Sequence, residues 1–252
     1  MYDLQRASMW KRISAFLFDA ILLAIVAVLF AWGLSFALGY NGYNETLDAR
    51  YQHYEQEYGV DFGLSLAEYE GLTEEEHEYL LSAHEALSRD DEAVYAYNML
   101  VNLTLIITTF GILLGFISLE FIVPLLFGNG QTLGKKVFGL ALMRTDGVKI
   151  NAVSLFIRTV LGKFAIETMI PVLIVIMIYF GSIGIVGTLV LGLILLLEVV
   201  LTFATYRKSM IHDLLANTVA VDMASQMIFD TYEDLIAYKQ KMHAEKAARQ
   251  AY

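Results

Sequence analysis

RISAFLFDAILLAIVAVLFAWGLSFAL, residues 12–38, is long enough to cross a bilayer, for which about 20 mainly apolar residues at ~1.5 Å rise suffice. Asp19 interrupts it, seven positions after Arg12 and on the same helical face. A carboxylate inside a membrane helix costs about 2.5–3.5 kcal/mol on insertion scales. The stretch therefore predicts a bundle in which the other hydrophobic segments pack around this helix and house Asp19. A cleaved signal peptide is the competing reading, given Lys11, Arg12 and the small residues Ser35 and Ala37. The apolar run exceeds the usual core of about 7 to 15 residues, and Asp19 breaks it, so an uncleaved helix is expected.

Composition agrees. The 252 residues are 57% hydrophobic and 17% charged, with a mean hydropathy of +0.55, whereas soluble domains carry roughly a quarter charged residues. Zero cysteines exclude disulfides, thiolate metal sites and cysteine nucleophiles. The net charge of -10 comes largely from residues 39–98, which hold fifteen acidic residues against Arg50 and Arg89 alone. No basic surface supports nucleic-acid binding. In this acidic segment Thr73 and Glu76 form a capping box that opens a helix through about Leu87, with Tyr79, Leu80, Ala83 and Leu87 as its apolar stripe. A second helix, from Asp90-Asp91, is expected to run straight into the next span.

Residues 99–127 read as the second span, with Glu120, Pro124 and a file of small residues that includes Gly111 and Gly115, suited to close packing against another helix of the chain. Residues 128–164 read as a membrane-proximal loop. Val137 to Met143 has strand composition, Asp146-Gly147 is a hairpin-turn signal, and Ala152 to Phe164 is an amphipathic helix expected to lie in the interface. Residues 165–206 hold an apolar run too long for one span, which fits a third and fourth span joined at Gly181 to Gly184. Residues 207–252 form a tail in which Thr218 to Met223 is a strand that joins the hairpin. The fold class expected is an all-α integral membrane protein: a four-transmembrane-helix bundle with an acidic helical extracytoplasmic insertion at 39–98 and a small cytoplasmic β-hairpin. Residues 1–38 supply the cytoplasmic N-terminus and first span. Of seventeen Lys and Arg, only Arg50 and Arg89 fall between the first two spans, which puts both termini on the cytoplasmic side.

Arg12, Asp19, GQTLGKKVFGLALMRTDG at 130–147, Arg158 and HDLLANTVAV at 212–221 together resemble the RDD family of bacterial membrane proteins. That family is named for one arginine and two aspartates, which by position correspond to Arg12, Asp19 and Asp213. The resemblance implies a polytopic protein of the bacterial cytoplasmic membrane, with transport, including sodium/proton antiport, proposed for some members. The long acidic insertion departs from the shorter loops the family leads one to expect.

Counted from the cytoplasmic helix ends, Asp19, Glu120 and Glu198 lie at similar depth, about 10–14 Å in, with Glu167 shallower. The three form an expected ion or proton pathway, rimmed by Arg12, Arg158, Lys163 and Arg207. Arg12, Arg158 and Asp213 are expected as ion-pair or gate residues. Buried carboxylates in one dry layer repel and favour holding a proton; the simpler outcome is that each pairs with a nearby base. His212 beside Asp213 resembles a catalytic pair, but neighbours on a helix do not face each other. His53, Glu55 and Glu57 show no closed set of metal ligands. No enzyme motif, cofactor or metal is expected. Function is expected to be transport of a monovalent cation, proton or small solute. The alternative is a non-transporting subunit that scaffolds or regulates a partner membrane protein. The lipid bilayer is the first partner, and a homodimer or partner membrane protein would complete the thin wall of four helices.

Overall fold

The computed structural model describes residues 7–179, 181–204 and 210–250. The elements are α1 (Met9–Ala37), α2 (Tyr40–Tyr58), α3 (Leu66–Glu70), α4 (Glu74–Arg89), α5 (Asp91–Phe127), α6 (Leu133–Val137), β1 (Leu140–Arg144), α7 (Ala152–Tyr179), α8 (Ile185–Ala204), α9 (Ile211–Leu215), β2 (Thr218–Asp222) and α10 (Tyr232–Gln250). Among the described residues three helices, α1, α5 and α7, are long and apolar enough to cross a membrane, and α8 is a shorter apolar helix. Their outer faces leave large side chains exposed, among them Ile21, Leu29, Trp32 and Leu193. Such surface in a largely helical chain is what lipid, rather than water, covers.

The chain divides into two units. One is Ala31–Phe110. Gly39, in the left-handed region at φ 70°, ends α1 and lets α2 begin at once. α4 opens with the expected Thr73–Glu76 capping box and buries Leu80, Ala83 and Leu87. Tyr79, expected on that stripe, is instead half exposed. α4 packs on α2, a helix that no single motif marks in the sequence. Asp90 joins these pieces: its Oδ1 accepts the Glu92 and Ala93 amides at 2.9 and 3.0 Å, capping α5, while its Oδ2 accepts Arg50 Nε at 2.7 Å and the Tyr54 hydroxyl at 3.0 Å.

The other unit is Met1–Phe30 with Gly111–Tyr252. Gly115 of α5 lies against α1, where a Cβ would come within 3.1 Å of Leu23 and 3.5 Å of Ala27, so the small residue permits the close approach. α7 runs unbroken from Ala152 to Tyr179. The interfacial helix expected at 152–164 is therefore the first part of the third long helix. Its polar face is satisfied by protein: Arg158, Thr159 and Gly162 are all buried. Two stretches adopt the wider π form, Ile117–Ile122 in α5 and Ile157–Met169 in α7, and they pack on each other.

The small sheet also differs from the expected hairpin. β1 pairs antiparallel with β2, Leu140 opposite Asp222 and Arg144 opposite Thr218. Asp146-Gly147 does form a tight turn, with Gly147 at φ 94°, but the chain after it makes isolated bridges rather than a strand, Lys149 to Met143 and Val148 to Phe229. Asn151 caps α7 two residues later, leaving no length for a strand, so the distant TVAVD segment takes the place. One face of the sheet packs Ala141, Met143, Val219 and Val221 under Ile228; the other packs Leu142 and Ala220 against Ile150, Leu155 and Phe121. Leu140 meets Ala15 of α1. Lys11 donates to Asp222 at 2.5 Å and ties the start of α1 to the end of β2.

The two strands follow similar lead-ins. α6 ends at Val137, Gly139 is left-handed at φ 67°, and β1 starts at Leu140; α9 ends at Leu215, Asn217 is left-handed at φ 51°, and β2 starts at Thr218. Residues 132–144 and 210–222 thus share one helix–turn–strand plan with the same offsets.

The Asp90 carboxyl is held at about 2: burial alone would raise it, but the Ala93 amide, Arg50 and Tyr54 outweigh that. A depressed carboxyl stabilises the fold above its ordinary value near 3.8 and loses that contribution as pH falls through about 2. Asp90→Ala is expected to cost about 1–2 kcal/mol through the lost cap alone, read as faster hydrogen exchange at the Glu92 and Ala93 amides with α1 unaffected.

Candidate functional site

The charged residues of the second unit converge where α1, α5 and α7 meet the two short helices α6 and α9. Asp19 projects from α1 and is 8% exposed. Its Oδ1 accepts the Gly134 amide at 2.7 Å and its Oδ2 accepts the Thr132 hydroxyl. Thr132 in turn caps α6 through the Lys135 amide at 3.3 Å and accepts the Lys135 ammonium at 3.0 Å. Asp19 is thus the anion at the free amides of a helix N-terminus. Glycine is required at 134, because a Cβ there would sit 2.9 Å from the Asp19 carboxyl carbon.

A second carboxylate repeats the arrangement. Glu167 of α7 accepts the His212 amide in the first turn of α9 at 2.7 Å and contacts His212 Nδ1 at 2.6 Å. His212 Nε2 lies 2.8 Å from Arg158 Nη2. Arginine only donates, so Nε2 accepts and Nδ1 carries the proton that it donates to Glu167. Burial and the Arg158 charge push the His212 pKa down, and Asp213 and Glu167 oppose them without reversing the direction; the imidazole is neutral near pH 7. Arg158 also donates to Asp213 Oδ1 from Nη2 at 2.8 Å and from Nε at 3.1 Å, and the Thr218 hydroxyl donates to the same oxygen at 3.1 Å. Burial alone would raise the Asp213 carboxyl, but Arg158 and Arg12 hold it far below the usual range.

Arg12 reaches Asp213 Oδ2 only at 3.8 Å. Glu120, 4% exposed, accepts Lys163 at 2.7 Å, and its carbonyl accepts the Thr159 hydroxyl at 3.0 Å. Several of these groups line a half-open cavity of about 220 Å³, into which face Arg12, Asp19, Lys135, Arg158, Lys163 and Asp213, with His212 beside them and apolar walls from Met9, Ile13, Phe16 and Leu140. Of the three carboxylates expected to share a layer, Asp19 lines this cavity; Glu120 and Glu198 do not. Arg158, Asp213 and Arg12 do come together as expected of ion-pair residues. Arg207 lies outside the described residues.

Residues 6–217, the stretch that holds Arg12, Asp19, the 130–147 loop and the His212-Asp213 segment, match the model of the RDD family. The chain belongs to the RDD family. No curated protein and no solved structure matches it. In this RDD protein the first aspartate seats the loop helix α6, and the second is locked by an arginine from α7 as well as approached by Arg12. Lys135, His212 and Glu167 carry as much of the network as the three residues of the family name. Lys135 is recognisable in the sequence only as one of two lysines in GKK. Contrary to the expectation from helix geometry, His212 Nε2 and Asp213 Oδ2 lie 3.6 Å apart, because the guanidinium fork of Arg158 bonds both and draws them together.

Removing the Asp19 charge leaves the Thr132 hydroxyl, the Gly134 amide and Lys135 without their anion. Asp19→Ala is expected to cost about 3–5 kcal/mol, as for other broken buried pairs, seen as a lower melting temperature of the purified protein in detergent. Burial brings the Lys135 pKa down to about 8, with Glu120 and Asp19 only partly opposing it. Between about 8 and its ordinary 10.5 the unfolded chain binds the extra proton, so stability is expected to rise with pH across that window. A melting series from pH 7.5 to 10 should show this rise in the wild type and its loss in Lys135→Gln.

Proposed function

We propose that this RDD protein is a transporter of the bacterial cytoplasmic membrane that moves a small solute with coupled protons through the charged cavity. In this reading α1, α5, α7 and α8 are four spans, and both termini are cytoplasmic. The observation that carries it is the cavity itself: buried groups of both signs face about 220 Å³ of open space at the ends of long apolar helices. Intramembrane ionisable residues mark substrate and proton routes by default.

The shared plan of α6–β1 and α9–β2 supports the same reading. Each follows two apolar helices, α1 and α5 or α7 and the shorter α8, and each is seated by a carboxylate from the first of the two, Asp19 or Glu167. The chain then consists of two like halves, and transporters built from repeats place their sites between them. The cavity draws Asp19 and Lys135 from one half and Arg158, His212 and Asp213 from the other. A proton or small solute suits this lining better than a free monovalent cation, because four cationic side chains face two carboxylates and Glu120 is already bonded to Lys163. Neutral His212, bridged between Glu167 and Arg158, is the group placed to take up a proton.

The test is dissipation of an imposed pH gradient by purified protein in liposomes, across a panel of small solutes. Wild type is expected to exceed empty vesicles, and His212→Gln, which keeps a donor and an acceptor but cannot titrate, should lose about tenfold or more while melting like wild type. Absence of flux with every solute, together with a stoichiometric membrane partner on purification, would instead favour a non-transporting subunit, with the acidic Ala31–Phe110 unit as its partner surface.

A further inference from the structure

The donors and acceptors around the cavity do not balance. Asp213 Oδ1 takes both Arg158 nitrogens and the Thr218 hydroxyl. Both Asp19 oxygens are occupied, by the Gly134 amide and the Thr132 hydroxyl. Lys163 is bonded to Glu120. Two cations are left short. The Arg12 side chain is 16% exposed, and among the described residues its guanidinium makes no hydrogen bond, its nearest anion being Asp213 at 3.8 Å. Lys135, 10% exposed at its side chain, has one hydrogen bond, to Thr132, and Asp19 at 3.8 Å. Between them they carry eight N–H donors and face the same cavity. Arg12 is also repelled by Arg158, and Lys135 by Arg158 and Lys163.

The similarity of the two helix–turn–strand segments marks where the deficit lies. Lys135 and Asp213 both occupy the third position of their short helices. Asp213 has Arg158 in direct contact and Arg12 nearby, whereas Lys135 has Asp19, whose oxygens are already taken, and the more distant charge of Glu120, which is bonded to Lys163. What is missing is an anion with several acceptor atoms. A guanidinium fork and an ammonium that line one cavity suit a phosphoryl group, which accepts in a bidentate manner. The volume is that of about seven waters at ~30 Å³ each, and Met9, Ile13 and Phe16 offer an apolar wall for whatever the phosphate is attached to.

We infer that the cavity binds a phosphate-bearing anion, held by Arg12 and Lys135. This names a ligand class for the cavity used above, but it concerns binding and not movement. The anion is either the headgroup of an anionic lipid entering beside α1 or a soluble phosphate ester from the aqueous side.

The full-length protein, delipidated in a neutral detergent, is titrated separately with phosphatidylglycerol, phosphatidylcholine, glycerol 3-phosphate and inorganic phosphate. Melting temperature and native mass spectrometry are followed. Binding of phosphatidylglycerol above phosphatidylcholine, unaffected by glycerol 3-phosphate, assigns the lipid source; protection by glycerol 3-phosphate or phosphate, with no lipid preference, assigns the soluble one. In either case Arg12→Gln and Lys135→Gln should weaken binding roughly tenfold or more, Arg12→Lys less than Arg12→Gln, and the exposed Lys246→Gln not at all. If wild type binds none of the phosphate ligands above the phosphatidylcholine level, or if both glutamine variants melt as folded proteins and bind like wild type, the inference falls. Binding without solute flux would keep it and sink the transport proposal; flux without phosphate binding would do the reverse.

Discussion

The bond on which the second unit depends is that between the Asp19 carboxylate and the first turn of α6. An unpaired carboxylate in an apolar helix is expensive, and so are free amides at a buried helix start. Each cost is offset by the other. Because Thr132 and Gly134 must reach Asp19, the loop after α5 folds back on α1, and this puts Lys135 on the cavity and Leu140 against Ala15. Glu167 and His212 do the same for α9. The sheet then fastens the two short helices to each other through β1 and β2.

The network that results is neither a bare carboxylate layer nor a set of isolated ion pairs. One line of contacts runs through it, from Glu167 to His212, Arg158, Asp213 and then Arg12. The two π stretches have a part in this. The wider turn in α7 brings Arg158, Thr159 and Gly162 inward together, and Gly162 lets α9 approach so closely that a Cβ would lie 2.6 Å from the His212 Cα. π turns are common where a helix must present functional groups.

Much of this was legible in the sequence, for reasons that are local. The long apolar runs, the Thr73–Glu76 capping box, the Gly181 break and the family residues Arg12, Asp19 and Asp213 each depend on a few neighbouring positions. The rest depends on partners far along the chain. Asp146-Gly147 signals a turn, a turn is made, and the strand expected at 218–223 does join β1, but the return segment forms no strand of its own because Asn151 starts α7 so soon. Arg158 and Lys163 read as the polar face of an interfacial helix because the carboxylates that satisfy them, Asp213 and Glu120, come from other elements. Depth counting put Glu120 level with Asp19, but depth does not say which way a side chain points around the helix, and Glu120 points to Lys163.

The pairing of β1 with β2 also fixes an order of assembly. β1 is synthesised long before its partner, with all of α7 and α8 between them. Until β2 emerges, the edge of β1 that it pairs with is open and the Ala141 and Met143 face lacks Val219, Val221 and Ile228, a condition in which a strand is open to wrong pairing. The Arg158 side chain likewise waits for Asp213, in the helix just before β2. Closing the sheet is therefore among the last steps in building this unit, and it comes only when the final pair of apolar helices is in hand.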